Sequence, residues 1–455
     1  MKTKNIDMLH GPLAGKLVIF ALPLALSSIL QQLFNSADLA VVGHFDSDKA
    51  MAAVGSNASL VNLLVSLFLG LSIGANVVVA RIIGQGKREK ISEAVHTIIS
   101  IAILSGLTIL LLGEFIAPVL LSMMNVPDDV YKLAILYLRI FFFAMPFIEI
   151  YDFGSAILRS KGDSTRPLYA LIASGILNVL LNLLLVIVFK LGVAGVAIAT
   201  VISNILSSGM IIYFLTHEEE SFRLDLRKLT IKKEYLLGVI KIGAPAGLQS
   251  MVFSLSNVVI QSAINGFKAD GIAGNTAAQN FEFMAYFVIN AFAQTATTFT
   301  SQNYAAGDKD RCKKIYKLCT LIGLLSCFAV SAVFLLGRNV FIQIFSTDEN
   351  VIHYAMIRFW IVCLLELLTG TYEISGGCLR GMGHSLMPAV ITVLGTCVFR
   401  LIWVYTVFRF SKSFVTLMLV YPASWVITGT AVITAYFITR KKAFKRLDSR
   451  KEIKS

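Results

Sequence analysis

Acidic residues inside long apolar stretches are the chemically most informative feature of this sequence. A carboxylate near the middle of a bilayer costs about 2.5–3.5 kcal/mol on insertion scales, so it normally faces a cavity and has a function. Five acids lie within apolar runs, and a sixth lies near the start of another run: Asp38, Glu149, Asp152, Glu366, Glu373 and, as the sixth, Glu282. Such groups can bind a proton or a cation, which is the chemistry of ion coupling.

Asp38 has the strongest sequence context of the six. Asn35 precedes it by one helical turn and Gln31 by two turns, so the three residues share one helix face. A polar stripe on an otherwise apolar helix is typical of the wall of a wet cavity. The sequence therefore predicts Asp38 and Asn35 as ion-coupling residues and Gln31 as a cavity residue. In the alternative reading, Asp38 is a solvated charge at the outer end of the helix. The short distance along the chain to Asp46 is the reason for this alternative.

Asp152 and Glu373 occupy equivalent places in an internal repeat of the chain. Each lies two turns before a loop arginine, Arg159 in the first copy and Arg380 in the second. The matched pair favours ion coupling by both acids, and a structural contact with the loop arginine or a neighbouring helix is the alternative. Glu149 lies one turn before Asp152, and the two can share a proton if they are close.

A substrate cavity is predicted from a second group of polar residues. One apolar segment carries a dense polar set, which favours a cavity over adhesion between helices; it consists of Gln249, Ser250, Ser254, Asn257 and Gln261. Glu149 and Glu282 are assigned to the cavity as well, although a structural role is the more common one for acids of their kind and for Glu366.

Three further polar residues lie inside apolar runs. Asn178 and Asn182 share one helix face, and both ion coupling and adhesion to a neighbouring helix are compatible with that placement. Arg400 needs a partner inside a membrane. A structural pair with Glu373 or Glu366 is favoured, and binding of an anionic substrate is the alternative.

Membrane-spanning helices must position all of these residues. Hydrophobic residues make up 56% of the 455 residues and charged residues only 15%, against about 25% charged in soluble domains. Apolar runs of about 18 or more residues, long enough to cross a bilayer core, recur along the whole chain. They predict an all-α polytopic membrane protein with twelve transmembrane helices, at 16–44, 52–82, 93–122, 131–158, 167–189, 194–215, 235–265, 273–305, 313–342, 352–378, 387–408 and 414–439.

The chain also repeats itself at half length. LRSKGDSTRP at 158–167 returns as LRGMGHSLMP at 379–388. Pro23 and Pro245 are separated by nearly the same number of residues. Each proline can either allow its helix to bend during transport or give the helix a fixed kink, and the sequence is compatible with both roles. A repeat in a membrane protein is typical of a transporter with two pseudo-symmetric six-helix bundles. The predicted domains are an N-terminal lobe at 1–220, a cytoplasmic linker at 221–234, a C-terminal lobe at 235–440 and a basic cytoplasmic tail at 441–455.

The net charge of +13 is explained by membrane topology, so no nucleic-acid partner is expected. About 29 Lys and Arg fall on the termini and alternate loops, and about 7 fall on the opposite loops, which predicts that both termini are cytoplasmic. The expected location is the cell membrane, with the chain as a multi-pass protein.

The six cysteines show no disulfide or zinc spacing. Phosphate-cradling loops and metalloenzyme motifs are not evident, so the chain is not expected to be an enzyme. It is expected to need no cofactor beyond an ion gradient.

Several motifs resemble those of the multidrug and toxic compound extrusion (MATE) family, in the branch common in low-GC Gram-positive bacteria. They are FALPLALSSILQQLFNSADLAVVG at 20–43, AAVGSN at 52–57, GQG at 84–86, SQNYAAGD at 301–308 and the two repeated loops. The resemblance covers essentially the full length. It implies two six-helix bundles around a central cavity, and efflux of amphipathic, often cationic compounds in exchange for protons or sodium ions.

The resemblance also implies roles for single residues. Asp38 falls on the family's helix 1 aspartate, which is implicated in proton or cation coupling, and Asn178 falls on the helix 5 asparagine of that site. The family often has an aspartate where this chain has Asn182, so one charge is missing. A sodium ion near Asp38 and Asn178 is possible, and no other metal is expected. The helix 7 stretch SMVFSLSN lacks the glutamate of sodium-type members.

The predicted function is therefore that of a monomeric secondary antiporter in the lipid bilayer, exporting small organic cations. A flippase for lipid-linked oligosaccharides is the alternative, since distant relatives share the architecture. A flippase cavity for a pyrophosphate should be basic, whereas acids outnumber the central Arg400 inside the spans. A third class, a membrane scaffold without transport activity, leaves the matched carboxylates of the two copies unexplained.

Overall fold

Helices and loops make up the described part of the computed structural model, residues 5–123, 128–343 and 346–452, with no strand there. The long apolar runs fold as helices because a bilayer leaves each backbone amide and carbonyl to be satisfied within its own segment. The helices of the first half are α1 (Leu13–Phe45), α2 (Asp48–Gly84), α3 (Arg88–Met123), α4 (Asp128–Phe142), α5 (Met145–Lys161), α6 (Thr165–Asn182) and α7 (Gly192–Thr216).

Shorter helical pieces are more common in the second half. Its helices are α8 (Lys233–Asn265), α9 (Lys268–Ala305), α10 (Lys309–Leu336), α11 (Arg338–Gln343), α12 (Glu349–Arg358), α13 (Thr369–Gly381), α14 (Leu386–Thr392), α15 (Phe399–Tyr405), α16 (Val407–Ser411), α17 (Phe414–Met418) and α18 (Val420–Glu452). Three π-helical segments interrupt or extend these helices, at Leu183–Val188, Phe359–Cys363 and Val393–Val398. Short 3-10 turns lie at Leu226–Lys228 and Glu366–Leu368.

The predicted count of twelve spans is consistent with these helices. Ten helical segments of the described residues are long and apolar enough to cross a membrane, and an eleventh forms if α4 and α5, bent by 46°, count as one span. The bend coincides with Pro146 at the start of α5, where proline is well tolerated. The remaining predicted span, 273–305, falls on α9, which is not among these segments and carries Asp270 and Glu282 among other polar residues.

The repeated loops fold alike in the two copies. Gly162 and Gly383 both have left-handed backbone angles, with φ of 104° and 92°, which glycine adopts at little cost. In the first copy the amides of Gly162 and Asp163 donate to the carbonyls of Arg159 and Leu158. In the second copy the amides of Gly383 and His384 donate to the carbonyls of Arg380 and Leu379, three and five residues back. Both helices therefore end in the same glycine cap, which explains part of the sequence repeat.

Two compact units are formed by the chain. Unit 1 comprises residues 1–7 and 26–247, and unit 2 comprises residues 8–25 and 248–455. The predicted lobes, 1–220 and 235–440, differ from these units at 8–25, which lie in unit 2, and at 235–247, which lie in unit 1. Helices α1 and α8 are thus each divided between the units, within three residues of Pro23 and Pro245.

Within unit 1, the first part of α8 crosses α2 at very close range. Gly70 and Gly74 of α2 face Gly243 and Gly247 of α8. A Cβ on Gly74 would lie 2.3 Å from the carbonyl oxygen of Val239, and one on Gly247 would lie 2.2 Å from that of another α2 residue, Leu67. Small residues spaced four apart are a common means of bringing membrane helices together, and here they fix residues 233–247 in unit 1.

Within unit 2, residues 8–25 are held by polar and aromatic contacts. Asn303 Nδ2 donates to the carbonyl of Met8 at 3.1 Å, and the Arg311 guanidinium donates to the carbonyls of Met8 and His10. Further along the chain, Phe20 packs edge-on against Phe299, with ring centroids 5.5 Å apart. The start of α1 is therefore an integral part of unit 2.

The segment after α7 docks on unit 1 through polar contacts. The backbone amide of Asp225 donates to His96 Nε2 at 3.0 Å, while His96 Nδ1 lies 2.6 Å from the carbonyl of Ser92. Glu218 accepts from Lys161 Nζ at 2.6 Å and also from Arg166. Burial opposes ionisation of Glu218, but these two donors outweigh it and lower its pKa. The predicted cytoplasmic linker is thus well packed where it joins α7.

Candidate functional site

Asp38 forms a polar cluster with two asparagines in unit 1. Asn182 Nδ2 donates to Asp38 Oδ1 at 2.5 Å and lies 3.2 Å from Asn178 Oδ1. Asn182 is fully buried and Asn178 is buried, whereas Asp38 is half-buried. Only Asp38 of the three can gain or lose a proton. The cluster can therefore hold one proton or one cation at its carboxylate.

Close packing of α1 on α6 positions this cluster. Gly175 lies two turns before Asn182, and a Cβ there would lie 1.8 Å from the ring of Phe34. The absence of a side chain at Gly175 lets the ring approach α6, so that Asp38, one turn further along α1, reaches Asn182. A π-helical segment begins directly after Asn182, and such segments are frequent at functional sites.

One acceptor of the cluster is left without a partner. Asn182 Oδ1 is buried and accepts no hydrogen bond from any residue that the structure describes. An amide oxygen beside a carboxylate is a suitable pair of ligands for a hard cation such as sodium. The groups of the cluster are therefore compatible with a bound proton and with a bound hard cation.

The other residues predicted near Asp38 do not join the cluster. Gln31 and Asn35 lie on exposed positions of α1, and neither bonds to Asp38 or Asn182. They share its helix face, as the spacing predicts, but they lie away from the buried asparagines. Their predicted roles in coupling and in the cavity stay predictions.

The second pair of acids in unit 1 lies on α5. Asp152 is buried and interacts electrostatically with Arg159, two turns along the same helix. Glu149 is almost fully buried, and neither of its carboxyl oxygens has a hydrogen-bond partner among the described residues. Ser105 lies nearby but donates to the carbonyl of Ala102 instead. The structural reading is therefore favoured for Asp152, and Glu149 remains a buried acid with unused acceptors.

In unit 2 the repeat places Glu373 in the same setting. Glu373 is half-buried and interacts electrostatically with Arg380, which also donates to Gln249 Oε1 at 3.2 Å. The matched acids of the two copies thus each face their own loop arginine. Gln249 thus accepts a hydrogen bond from that arginine.

The remaining polar residues predicted on α8 are dispersed along it. Ser254 donates back to the carbonyl of Ser250, and Gln261 donates to Asn265 Oδ1 on the same helix. Asn257 reaches another buried polar group, because it accepts from Arg400 Nη1 at 3.2 Å. Asn257 and Glu282, both predicted as cavity residues, line a cavity in unit 2.

Two buried arginines, Arg358 and Arg400, lie in the wall of that cavity, and only Arg400 was predicted from the sequence. Arg358 binds both carboxyl oxygens of Glu282, with Nε at 2.8 Å and Nη2 at 3.0 Å. Glu282 is therefore part of an ion pair. Arg358 lies inside an apolar run just as Arg400 does, so the same criterion could have found it.

Arg400 does not form the ion pair that was favoured for it. Its Nε donates to Ser424 Oγ at 3.1 Å, and its guanidinium lies 4.6 Å from the ring centroid of Tyr421. No acid lies within ion-pair distance of it in the described part of the chain. Polar hydrogen bonds and aromatic faces, together with the more distant Glu366, surround it instead.

Comparison with known sequences identifies the repeated unit. The sequence profile of the family described as MatE matches the chain twice, at residues 23–184 and 245–406. The two matches are offset by 222 residues, the difference between 23 and 245, which is within one residue of the 221-residue spacing between the repeated loops at 158 and 379. Together they cover more than half of the chain.

Similar proteins extend over nearly the whole length. The probable multidrug resistance protein YoeA of Bacillus subtilis is 26% identical over 442 residues, 94% of this chain and 95% of the relative. NorM of Thermotoga maritima, also named a probable multidrug resistance protein, is 25% identical over 85% of this chain and 84% of its own length. The multidrug export protein MepA of Staphylococcus saprophyticus is 22% identical over 82% and 83%.

Solved structures share the fold. An outward-facing multidrug resistance MATE family transporter of the MOP superfamily superimposes with a TM-score of 0.88, at 22% identity and over 98% of this chain and 99% of that one. A MOP superfamily transporter from Pyrococcus furiosus, described by the reverse polarity of its binding pocket, gives a TM-score of 0.85 at 23% identity, over 99% of both chains. These likenesses support the all-α two-bundle fold class predicted from the sequence.

Proposed function

Because the chain belongs to the MatE family, we propose that it is a secondary active antiporter that exports amphipathic, cationic organic compounds in exchange for protons or sodium ions. Membership of the family confirms the resemblance read from the motifs. The relatives from Bacillus, Thermotoga and Staphylococcus are named for multidrug resistance or export. The flippase alternative is not favoured by these names.

The observation that carries the proposal is the Asp38 cluster. A half-buried carboxylate with one buried amide donor can be neutralised by a proton, by a sodium ion or by a cationic substrate, and these occupants exclude one another. Exchange follows from that competition: the inward-moving ion displaces the cation, and the cation leaves on the outer side. The chain then needs no cofactor besides the ion gradient.

The setting of the proposed transporter is a cell membrane, where the chain acts as a monomer with both termini in the cytoplasm. Support for the orientation comes from the distribution of Lys and Arg over the loops. The substrates are proposed to be small molecules because the relatives are named for drug resistance.

Transport by proteoliposomes tests the function. The purified protein is reconstituted, a fluorescent organic cation such as ethidium is added, and a proton or a sodium gradient is imposed separately. We expect the organic cation to move in the direction opposite to the ion flow when one of the two gradients is imposed. The ion whose gradient drives this movement is the coupling ion. Vesicles that show no cation movement under either gradient would contradict the antiport proposal.

The Asp38 assignment is tested in the same vesicles. Asp38→Asn removes the titratable group and preserves the size of the side chain, so gradient-driven movement should be lost. Asp46→Asn is a matched control, because it removes an acid from the exposed end of the same helix. Equal rates of gradient-driven cation movement for the two variants would show that a residue other than Asp38 is responsible for coupling.

A further inference from the structure

A small cavity in unit 2 is lined by charged groups that the proposed antiport does not use. Its volume is about 50 Å³, enough for one or two water molecules or a small ion and too little for an organic drug. Four charged side chains contribute to its wall: Glu282, Arg358, Glu366 and Arg400.

Two of the four charges neutralise each other. Arg358 and Glu282 form a two-pronged ion pair, and Arg358 Nη1 also donates to Asn275 Oδ1 at 2.6 Å. Arg358 is fully buried and Glu282 is 6% exposed. Because the opposite charges of Glu282 and Arg358 are bonded directly to each other, the pair adds no net charge to the cavity.

Arg400 is a buried positive charge without a bonded counter-charge. It is 1% exposed, and its hydrogen bonds run to two neutral groups, Ser424 Oγ and Asn257 Oδ1. These two bonds come from Nε and Nη1 of the guanidinium. A guanidinium keeps its charge in proteins, and a buried charge that lacks a partner is unfavourable. The cavity therefore has open donors on a positive group.

Glu366 faces the same cavity and is also incompletely bonded. It is 3% exposed, and its Oε2 has no hydrogen-bond partner in the described part of the chain. The titratable and charged groups that interact with it are Glu282, Arg358, Arg400, Tyr286, Tyr372, Cys327 and Cys363. A protonated carboxyl group at this position can donate its O–H into the cavity, whereas an ionised one would repel an anion.

We propose that this cavity binds one small monovalent anion, such as chloride or formate, between the Arg400 guanidinium and the protonated carboxyl group of Glu366. The anion supplies the counter-charge of Arg400, and one proton is taken up on Glu366 with each anion bound. Both donors are buried and converge on a space of the right size. The proposal concerns a site in unit 2, so it stands or falls separately from the antiport function.

Calorimetric titration of the purified full-length protein in detergent tests the proposal without any transport assay. Sodium chloride is titrated into protein in sodium gluconate at constant ionic strength, because gluconate is too large for the cavity. We expect saturable binding of one chloride, strengthening by up to about tenfold for each unit by which the pH falls, since one proton accompanies the anion. Sodium formate in place of chloride should give the same behaviour.

Three variants assign the binding to the two residues. Arg400→Gln should abolish chloride binding, while Arg338→Gln, which removes a positive charge beside Trp360 outside the cavity wall, should preserve it. Glu366→Gln should keep binding, because its amide N–H replaces the O–H, and should remove the pH dependence. The Glu366→Gln result and the wild-type pH series decide the matter if Arg400→Gln does not fold.

Several results would overturn the anion site. One is a wild-type protein that gives no saturable heat with chloride or formate at pH 5.5. A second is an Arg400→Gln protein that binds chloride as well as Arg338→Gln does. A third is pH dependence that persists in Glu366→Gln. A direct Glu366–Arg400 ion pair would produce the first of these results, because neither group would then be available to an anion.

Discussion

A single amide, Asn182, determines how the Asp38 carboxyl group is held. It is the donor at 2.5 Å, and it is fully buried. Replacing a buried partner of a charged group leaves that group unsatisfied, which costs about 1–3 kcal/mol. Asn182→Leu should therefore disfavour the charged form of Asp38 and lower the gradient-driven efflux rate by roughly tenfold, since 1.4 kcal/mol corresponds to about a factor of ten.

Initial rates in proteoliposomes measure that effect. Asn204→Leu is the matched control, because the side-chain amide of Asn204 donates to the carbonyl of Thr200 on its own helix. A rate for Asn182→Leu equal to that of Asn204→Leu would show that the amide does not contribute to coupling.

The Glu282–Arg358 ion pair should matter most for stability. Removing one partner of a buried pair leaves an uncompensated charge and costs about 3–5 kcal/mol. Glu282→Gln should therefore lower the thermal unfolding temperature in detergent strongly, and the double variant Glu282→Leu with Arg358→Met should recover much of the loss. Lys313→Gln, which breaks only an exposed pair, should leave the unfolding temperature nearly unchanged. A double variant as unstable as the single one would argue against this account.

At the scale of helices, the close crossing of α2 and α8 through glycines predicts that a larger side chain at the crossing destabilises the protein. Gly74→Val would place side-chain atoms against the carbonyl of Val239, where even a Cβ lies 2.3 Å away. Overpacking of this kind typically costs about 1–3 kcal/mol, and we expect more here because the contact is backbone. Gly209→Val is the control, since nothing lies within 4 Å of a Cβ there. Unfolding temperatures of the two variants should differ by several degrees, and equal values would contradict the close crossing.

Hydrophobicity and the repeat were sufficient to predict most of the fold. The helix positions follow from apolar length, and the repeated loops indicate that the chain contains two similar halves. Hydropathy states where a helix crosses a bilayer but not what it packs against. For this reason the sequence did not reveal that α1 and α8 are each divided between two units, nor that α8 meets α2 through glycines.

The candidate site was only partly predictable, for a similar reason. The spacing of Asp38 with Asn35 and Gln31 predicts a shared helix face, which is correct for a single helix. The contact of Asp38 with Asn182 on another helix depends on tertiary packing, which the spacing along one helix does not determine. The family resemblance indicated that site through Asn178. The neutral surroundings of Arg400 likewise depend on Ser424 and Asn257, which lie on other helices.

At the scale of the whole molecule, the charge distribution predicts which loops face outward. Single cysteines introduced at Lys49, Lys132 and Lys268 should react with an impermeant thiol reagent in intact cells, and one at Lys228 should react only after permeabilisation. All six native cysteines are buried, so background labelling should be low. The reverse pattern would invert the proposed topology.

The division of α1 and α8 has a consequence for producing the protein in pieces. A gene split in the segment 217–232 would give an N-terminal fragment without residues 233–247, and therefore without the glycine face that packs on α2. The C-terminal fragment would lack residues 8–25, whose carbonyls Asn303 and Arg311 bind. Each translated half would thus expose a vacant groove shaped for a segment encoded by the other. The two fragments should be recovered only when they are expressed together, as mutual folding partners.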